Sequence, residues 1–486
     1  MTTESKETQE EPERQGVLAN LDSQVTTSFY WYLAVLACIG GFLFGYDTAV
    51  IGSVLGFLPY TLSSFVTGYL VAGASIGAAV GALVAGPFTD RFGRKSLLIA
   101  DALIYAVGAL LSAVTVDVAM LVSSRTLIGL AVGADSAIAT AYIAEFAPRS
   151  RRGSLMIMQQ WMITVGILVS YLIALFIFKV APGSATGADW RIILGLGAIP
   201  ALIALALRTR MPESPRWLMA HERYADTQQA LEKLGLDVTE QQVRETAEEL
   251  AETERALERK TQWTPGVKRA LMVVAIFFVF QQITGINIPF YYGPTLLEGY
   301  FKSGSSDVDI AIAGLEAATI LGVVNVVATF FAFRYIDKVG RRKLAIGGYV
   351  GMAVFILVAA FGVAHLTGLP KVWVVMLGFS FFITSFAIGV GGTGWLIQGE
   401  VFPTAVRGRA AAVCASVDWL ANFVIVQWFP TLNSDFGLPW VMILFAVLAV
   451  LAIVFVARFL PETKGLALED VTAVFEKQAT GSDKAG

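Results

Sequence analysis

About twelve apolar runs dominate this chain of 486 residues, each close to the ~20 residues a helix needs to cross a bilayer. They centre on 29–54, 65–86, 96–116, 119–143, 155–178, 190–208, 268–296, 310–335, 344–366, 371–399, 409–431 and 438–460. The composition, 56% hydrophobic and 15% charged, carries too little charge for the surface of a soluble chain of this length. A large buried α-core would show polar faces at helical spacing, and most of these runs show none. The chain therefore reads as an all-α membrane protein of twelve transmembrane helices.

Three charged motifs occur twice in the same order. DRFGRK at 90–95 returns as DKVGRRK at 337–343, EFAPRSRRG at 145–153 as EVFPTAVRG at 400–408, and PESPR at 212–216 as PETKG at 461–465. The offsets between their first residues are 247 (337 − 90), 255 (400 − 145) and 249 (461 − 212) residues. One such pair could be chance, but three in order mark two related halves of six spans each.

Basic residues set the expected orientation. Arg91, Arg94 and Lys95, Arg149, Arg151 and Arg152, Lys338 and Arg341 to Lys343, and Arg407 and Arg409 all fall on alternate loops. The intervening loops hold little more than Lys179, Lys302 and Lys371. The positive-inside rule then places both termini and the central loop in the cytoplasm of a multi-pass cell-membrane protein. Residues 1–28 are polar, of mixed charge and without a signal-peptide pattern, and read as a disordered cytoplasmic tail. The first bundle is expected over 29–209, a helical cytoplasmic linker over 210–266, the second bundle over 267–460 and a second tail over 461–486. The linker has helical composition in ADTQQALEKLG and VTEQQVRETAEELAETERALERK, and no nucleotide motif. The net charge of −3 suggests no nucleic-acid partner, and Cys38 and Cys414 read as small buried residues rather than a disulfide.

Together these motifs resemble the sugar porter family of the major facilitator superfamily, in particular bacterial proton–monosaccharide symporters. GGFLFGYD (40–47), RTLIGLAVG (125–133), PESPRWL (212–218), QQITGIN (281–287) and PETKG (461–465) carry the resemblance, which runs from about Gly40 to Gly465. It implies the major facilitator fold: two six-helix bundles with pseudo-two-fold symmetry, each an inverted repeat of three helices, around a midplane binding cavity.

Asp47 and Arg125 lie inside spans 1 and 4, where a lone charge costs about 2.5–3.5 kcal/mol on insertion scales. They can neutralise each other as a static ion pair or act as a proton switch. The resemblance favours the switch, since proton-coupled porters carry an acid and an arginine at these places. Asp135 stands where relatives usually have a small residue, and Asp418 where they usually have Asn or Gln. Each has two readings, as a hydrogen-bonded or protonated core acid, or as a second titrating or substrate-binding group.

Amides on apolar spans need partners, and a sugar offers many neutral donors and acceptors. Gln281, Gln282 and Asn287 on span 7, and Asn422 on span 11, are therefore candidate substrate ligands, against a reading as interhelical hydrogen bonds. By resemblance Gln160 and Asn325 join them. Trp395 and Trp419 offer flat faces for a pyranose ring, or simply pack. Tyr291 and Tyr292, beside a bend at Gly285, Pro289 and Pro294, are candidate gates. Span 10 departs from the family, with GVGGTGW (389–395) where relatives carry prolines, and Ala387 where some have a polar ligand. The charges Asp90, Arg91, Arg94, Glu145, Arg152 and Glu213, and their counterparts Asp337, Arg341, Glu400, Arg407 and Glu462, are expected to form salt bridges. These would close the cytoplasmic side while the cavity faces out, and break when it opens inward.

The expected function is import of a monosaccharide or similar polyol together with a proton by alternating access, in a protein acting as a monomer in the lipid bilayer. The proton is the coupling ion and no other cofactor is implied. A proton-independent sugar facilitator, a proton-coupled carrier of another metabolite such as an organic acid, and a non-transporting sugar sensor remain as alternatives. No nucleophile–base or metal constellation points to an enzyme.

Overall fold

The computed structural model describes residues 28–146, 152–180, 185–233, 235–260, 263–298, 306–464 and 474–479. Most of both predicted tails, with Arg149 and Arg151, lies outside these residues, as do the side chains of Arg152 and Asp337. Twelve described helical stretches are long and apolar enough to cross a membrane, at the positions the sequence predicts.

The first half holds α1 (Ser28–Val54), α2 (Ser64–Phe92), α3 (Arg94–Ala113), α4 (Val118–Phe146), α5 (Arg152–Val180), and a sixth span built from α6 (Trp190–Gly195) and α7 (Ala198–Arg208). Three amphipathic helices follow, α8 (Pro215–Ala220), α9 (Tyr224–Lys233) and α10 (Glu240–Lys260). These three helices make up most of the described linker. Its Met219, Leu231 and Val243 are buried in one apolar cluster with Leu33, Leu98 and Ile138 of the first bundle.

The second half opens with α11 (Pro265–Ile283), α12 (Ile288–Tyr291) and α13 (Gly293–Glu298), which together make a broken seventh span. Gly285, at φ +84°, turns the chain at the break, a backbone conformation that a side chain would strain. There follow α14 (Asp307–Val339), α15 (Arg341–His365), a tenth span of α16 (Gly368–Phe386) and α17 (Thr393–Val401), then α18 (Thr404–Phe436) and α19 (Leu438–Phe459). Between α16 and α17 the residues Ala387–Gly391 form a π-helical turn. Such a turn widens the helix and frees backbone carbonyls, and Gly389 and Gly391 of GVGGTGW lie within it.

The duplicated motifs build one device twice. Gly93 and Gly340 both have positive φ, +89° and +100°, and start α3 and α15. The Glu213 carboxylate accepts from the Arg94 N–H at 2.9 Å and the Lys95 N–H at 3.1 Å. Glu462 does the same for Arg341 at 2.8 Å and Arg342 at 3.2 Å. Each acid therefore satisfies orphan donors at a helix N-terminus and sits at the positive end of its dipole. We call the side of the molecule that carries these motifs the basic face.

The bundles meet along α2 against α18 and α5 against α14. The contacts concentrate away from the basic face. Gln427 Nε2 donates to the Phe65 carbonyl at 2.9 Å, and Asn422 Nδ2 to Ser75 Oγ at 2.8 Å. The Tyr171 hydroxyl donates to the Phe290 carbonyl. A Cβ on Gly52 would lie 2.4 Å from the Tyr291 carbonyl oxygen, so only glycine lets α1 and α12 touch there. Lys179 and Glu316 form an ion pair between the bundles on that same face, though both are about half exposed. The face opposite the basic motifs is thus the closed one.

Candidate functional site

A cavity of about 1220 Å³, counting its open mouth, lies between the bundles. All eight predicted ligands line it: Gln160, Gln281, Gln282, Asn287, Asn325, Trp395, Trp419 and Asn422. Asp135 and Asp418 line it too. Thr48, Ser136, Gln159, Thr164 and Thr329 also contribute polar side chains, none of which the sequence singled out. Gln159 was the most accessible to such reasoning, since it stands beside Gln160 in the same apolar run.

The break in span 7 positions the amides. Asn287, just past the Gly285 turn, donates from Nδ2 to Gln282 Oε1 at 2.8 Å and to Asn422 Oδ1 at 2.9 Å. Gln282 Nε2 in turn donates to Asp418 Oδ1 at 2.7 Å. With Asn422 bonded to Ser75, one hydrogen-bonded chain runs from α18 through span 7 to α2 of the other bundle. Gln281 Nε2 donates to the Gly391 carbonyl at 3.0 Å and the Val390 carbonyl at 3.3 Å, both in the π turn.

Two polar atoms on this wall have no partner. Gln281 Oε1 and Trp419 Nε1 are buried without a hydrogen bond. A buried polar atom left unmade costs about 1–3 kcal/mol, which a ligand carrying both donors and acceptors would recover. The indoles are held edge-on, Trp419 to Phe44 with ring centres 4.7 Å apart and Trp395 to Phe278 at 5.0 Å. The cavity lining contains no Lys, Arg or His among the described residues.

Behind the wall, Arg125 grips Asp47 with both terminal nitrogens, Nη1 to Oδ1 at 3.0 Å and Nη2 to Oδ2 at 3.1 Å. Its Nε donates to the Leu70 carbonyl at 3.2 Å. The pair is 4% and 1% exposed, and the next residue, Thr48, reaches the cavity. The two charges that the sequence places on spans 1 and 4 thus meet in one bidentate pair. Tyr291 and Tyr292 are buried where the bundles close, and the Tyr292 hydroxyl donates to the Val426 carbonyl at 2.9 Å.

The comparisons with known proteins decide the family. The model of the family described as "Sugar (and other) transporter" matches residues 33–475. The chain belongs to the sugar porters of the major facilitator superfamily. It is a multi-pass membrane transporter and not an enzyme. A glucose transporter, GlcP, of Staphylococcus epidermidis is 34% identical over 91% of this chain and 96% of its own length. The arabinose–proton symporter of Bacillus subtilis is 34% identical, over 92% and 96%. Among solved structures, a partially occluded inward-open conformation of the Escherichia coli xylose transporter XylE superposes with a TM-score of 0.77 at 29% identity. That match covers 91% of this chain and all of that one.

The described ion pairs of the charged cluster on the basic face lie within single bundles. Arg94 pairs with Glu145 at 3.0 Å and with the exposed Asp90 at 3.7 Å, all within the first bundle. Arg341 pairs with Glu400 at 2.7 Å, within the second. Arg91 lies over the Phe92 ring, and Arg407 Nε donates to the Phe402 carbonyl at 3.0 Å. Glu213 and Glu462 cap helices of their own halves. The motifs therefore brace each bundle as a rigid body; the described cross-bundle ion pair, Lys179–Glu316, stands on the other face. Burial pushes the Glu145 carboxyl above the usual glutamate range, against the opposing pull of Arg94.

Asp135, which the sequence marked as a core acid or a second titrating or substrate-binding group, belongs to a second buried ion cluster whose other members, Asp101 and Arg208, the sequence did not single out. Arg208 Nη1 contacts Asp101 Oδ1 at 2.6 Å, and Nη2 contacts Asp135 Oδ1. Nη1 also donates to the Leu98 carbonyl at 2.7 Å. Asp101 and Arg208 sit near the ends of their apolar runs, where a charge passes for ordinary flanking charge. Their pairing across 107 residues leaves no local sequence signal.

Proposed function

We propose that the transporter imports a monosaccharide together with a proton, with its basic face in the cytoplasm and as a monomer. The observation that carries this reading is the wall of amides and indoles, with one unpaired acceptor and one unpaired donor, in a cavity closed on one face. Neutral hydroxyls can both donate and accept, so a sugar suits such a wall. The relatives named for glucose and arabinose point the same way. The buried Asp47–Arg125 pair supports coupling over facilitation, because protonating Asp47 would release Arg125 and unlock α1 from α4. Two carboxyl groups on the lining, with no Lys, Arg or His among the described lining residues, argue against an anionic substrate such as an organic acid.

Reconstituted in vesicles and given an inward proton gradient, the transporter should concentrate one or more labelled hexoses or pentoses. An organic acid should not accumulate. A panel in which acids accumulate and sugars do not would reject this reading.

A further inference from the structure

The buried cluster of Asp101, Asp135 and Arg208 holds two carboxyl groups and one guanidinium. All three residues are at most 5% exposed. With both acids ionised it carries a net charge of −1 in a low-dielectric interior, an arrangement that draws in a cation. The hydrogen bonds show where that cation belongs. Asp101 Oδ1 and Asp135 Oδ1 both take guanidinium protons. Asp101 Oδ2 is buried without a hydrogen bond. The two carboxyl groups sit on the two terminal nitrogens of one guanidinium, close enough to repel each other when both are ionised, and one proton between them would relieve that repulsion. Asp135 also lines the cavity, so the cluster has a route to water.

We infer that Asp101, Asp135 and Arg208 form a second proton-binding site, loaded from the cavity through Asp135 and separate from Asp47. The step balances simply. A hydronium ion in the cavity gives its proton to the Asp135 carboxylate and leaves water. The resulting carboxyl shares its proton with Asp101, Arg208 stays charged, and the cluster goes from −1 to neutral. The groups that face it are Arg208 from α7, Asp101 from α3 and the buried Cys38 thiol from α1. The α1 backbone closes over it so tightly that a Cβ on Gly40 would overlap Asp135. A shift of α1 during transport would therefore change the cluster's access and its proton affinity. That coupling to transport, unlike the site itself, rests on the transport reading above.

The test uses the full chain in detergent and needs no sugar. Acid–base infrared difference spectra should show a protonated carboxyl band that survives Asp47→Asn and disappears in both Asp135→Asn and Asp101→Asn. Either single change leaves one acid for one guanidinium, a neutral pair with no place for an extra proton, and so should preserve the fold. Asp135→Glu should restore the band. Proton uptake on acidification should fall by one per molecule in each Asn variant. A spectrum unchanged by Asp135→Asn would overturn the site, as would a sodium-dependent signal that ignores pH. If Asp101→Asn fails to fold, Asp135→Asn alone decides. Failure here leaves symport through Asp47 standing, and failed symport would not touch these spectra.

Discussion

Asp47→Asn should reduce the steady-state accumulation of sugar to the external concentration while leaving exchange of internal for external sugar measurable. The magnitude follows from the energy that one proton delivers. A membrane potential of 100 mV contributes about 2.3 kcal/mol per charge. At about 1.4 kcal/mol per decade this amounts to roughly fifty-fold accumulation, all of it lost when the carrier can no longer hold the proton. The geometry explains why the loss should be complete. Both carboxylate oxygens of Asp47 are taken by Arg125, and the pair is walled off from water. Asn cannot ionise, so the carrier is fixed in the state that protonation would otherwise reach. Removing one partner of a buried pair costs about 3–5 kcal/mol, here offset in part by the Leu70 carbonyl that Arg125 also holds. Stability should therefore fall too, and adding Arg125→Leu should recover stability but not accumulation. Accumulation that persists in Asp47→Asn would remove this residue from the coupling step.

Gln282→Leu should have the next largest effect, on affinity rather than coupling. Gln282 donates to Asp418 and accepts from Asn287, in the middle of the chain that joins α18 to α2. Leucine fills similar space and strands a carboxylate and an amide. Hydrogen bonds to charged groups are worth about 1.5–3 kcal/mol, so sugar Kd should rise about ten- to a hundredfold. Equilibrium binding in detergent checks this without requiring transport. An unchanged Kd would mean that the chain braces the helices and does not contact substrate.

Much of this architecture was legible because the bilayer imposes a strong length rule and the halves repeat. Each of the twelve apolar runs contains or overlaps a described span. The amides of span 7 were legible for a related reason, since polar side chains inside an apolar helix need partners. Two features were not fully so. Sequence shows the motif charges but not which partners they take, and the described pairs lie within single bundles. The Arg208 cluster was legible only in part: Asp135 stood out inside its span, whereas Asp101 and Arg208 look like flanking charge until three helices bring them together. Glycine also carried more than bending. At Gly77 and Gly133 a Cβ would come within 2.1 Å of a backbone oxygen on the facing helix, so the α2–α4 seam depends on their absent side chains.

The most direct test of the central claim is sugar-driven proton movement in vesicles containing the purified transporter, with a pH dye inside and no gradient imposed. Adding a transported sugar outside should acidify the interior, with a rate that saturates in sugar and vanishes in Asp47→Asn. Entry of the same sugar with no change in internal pH would contradict proton coupling and leave a facilitator.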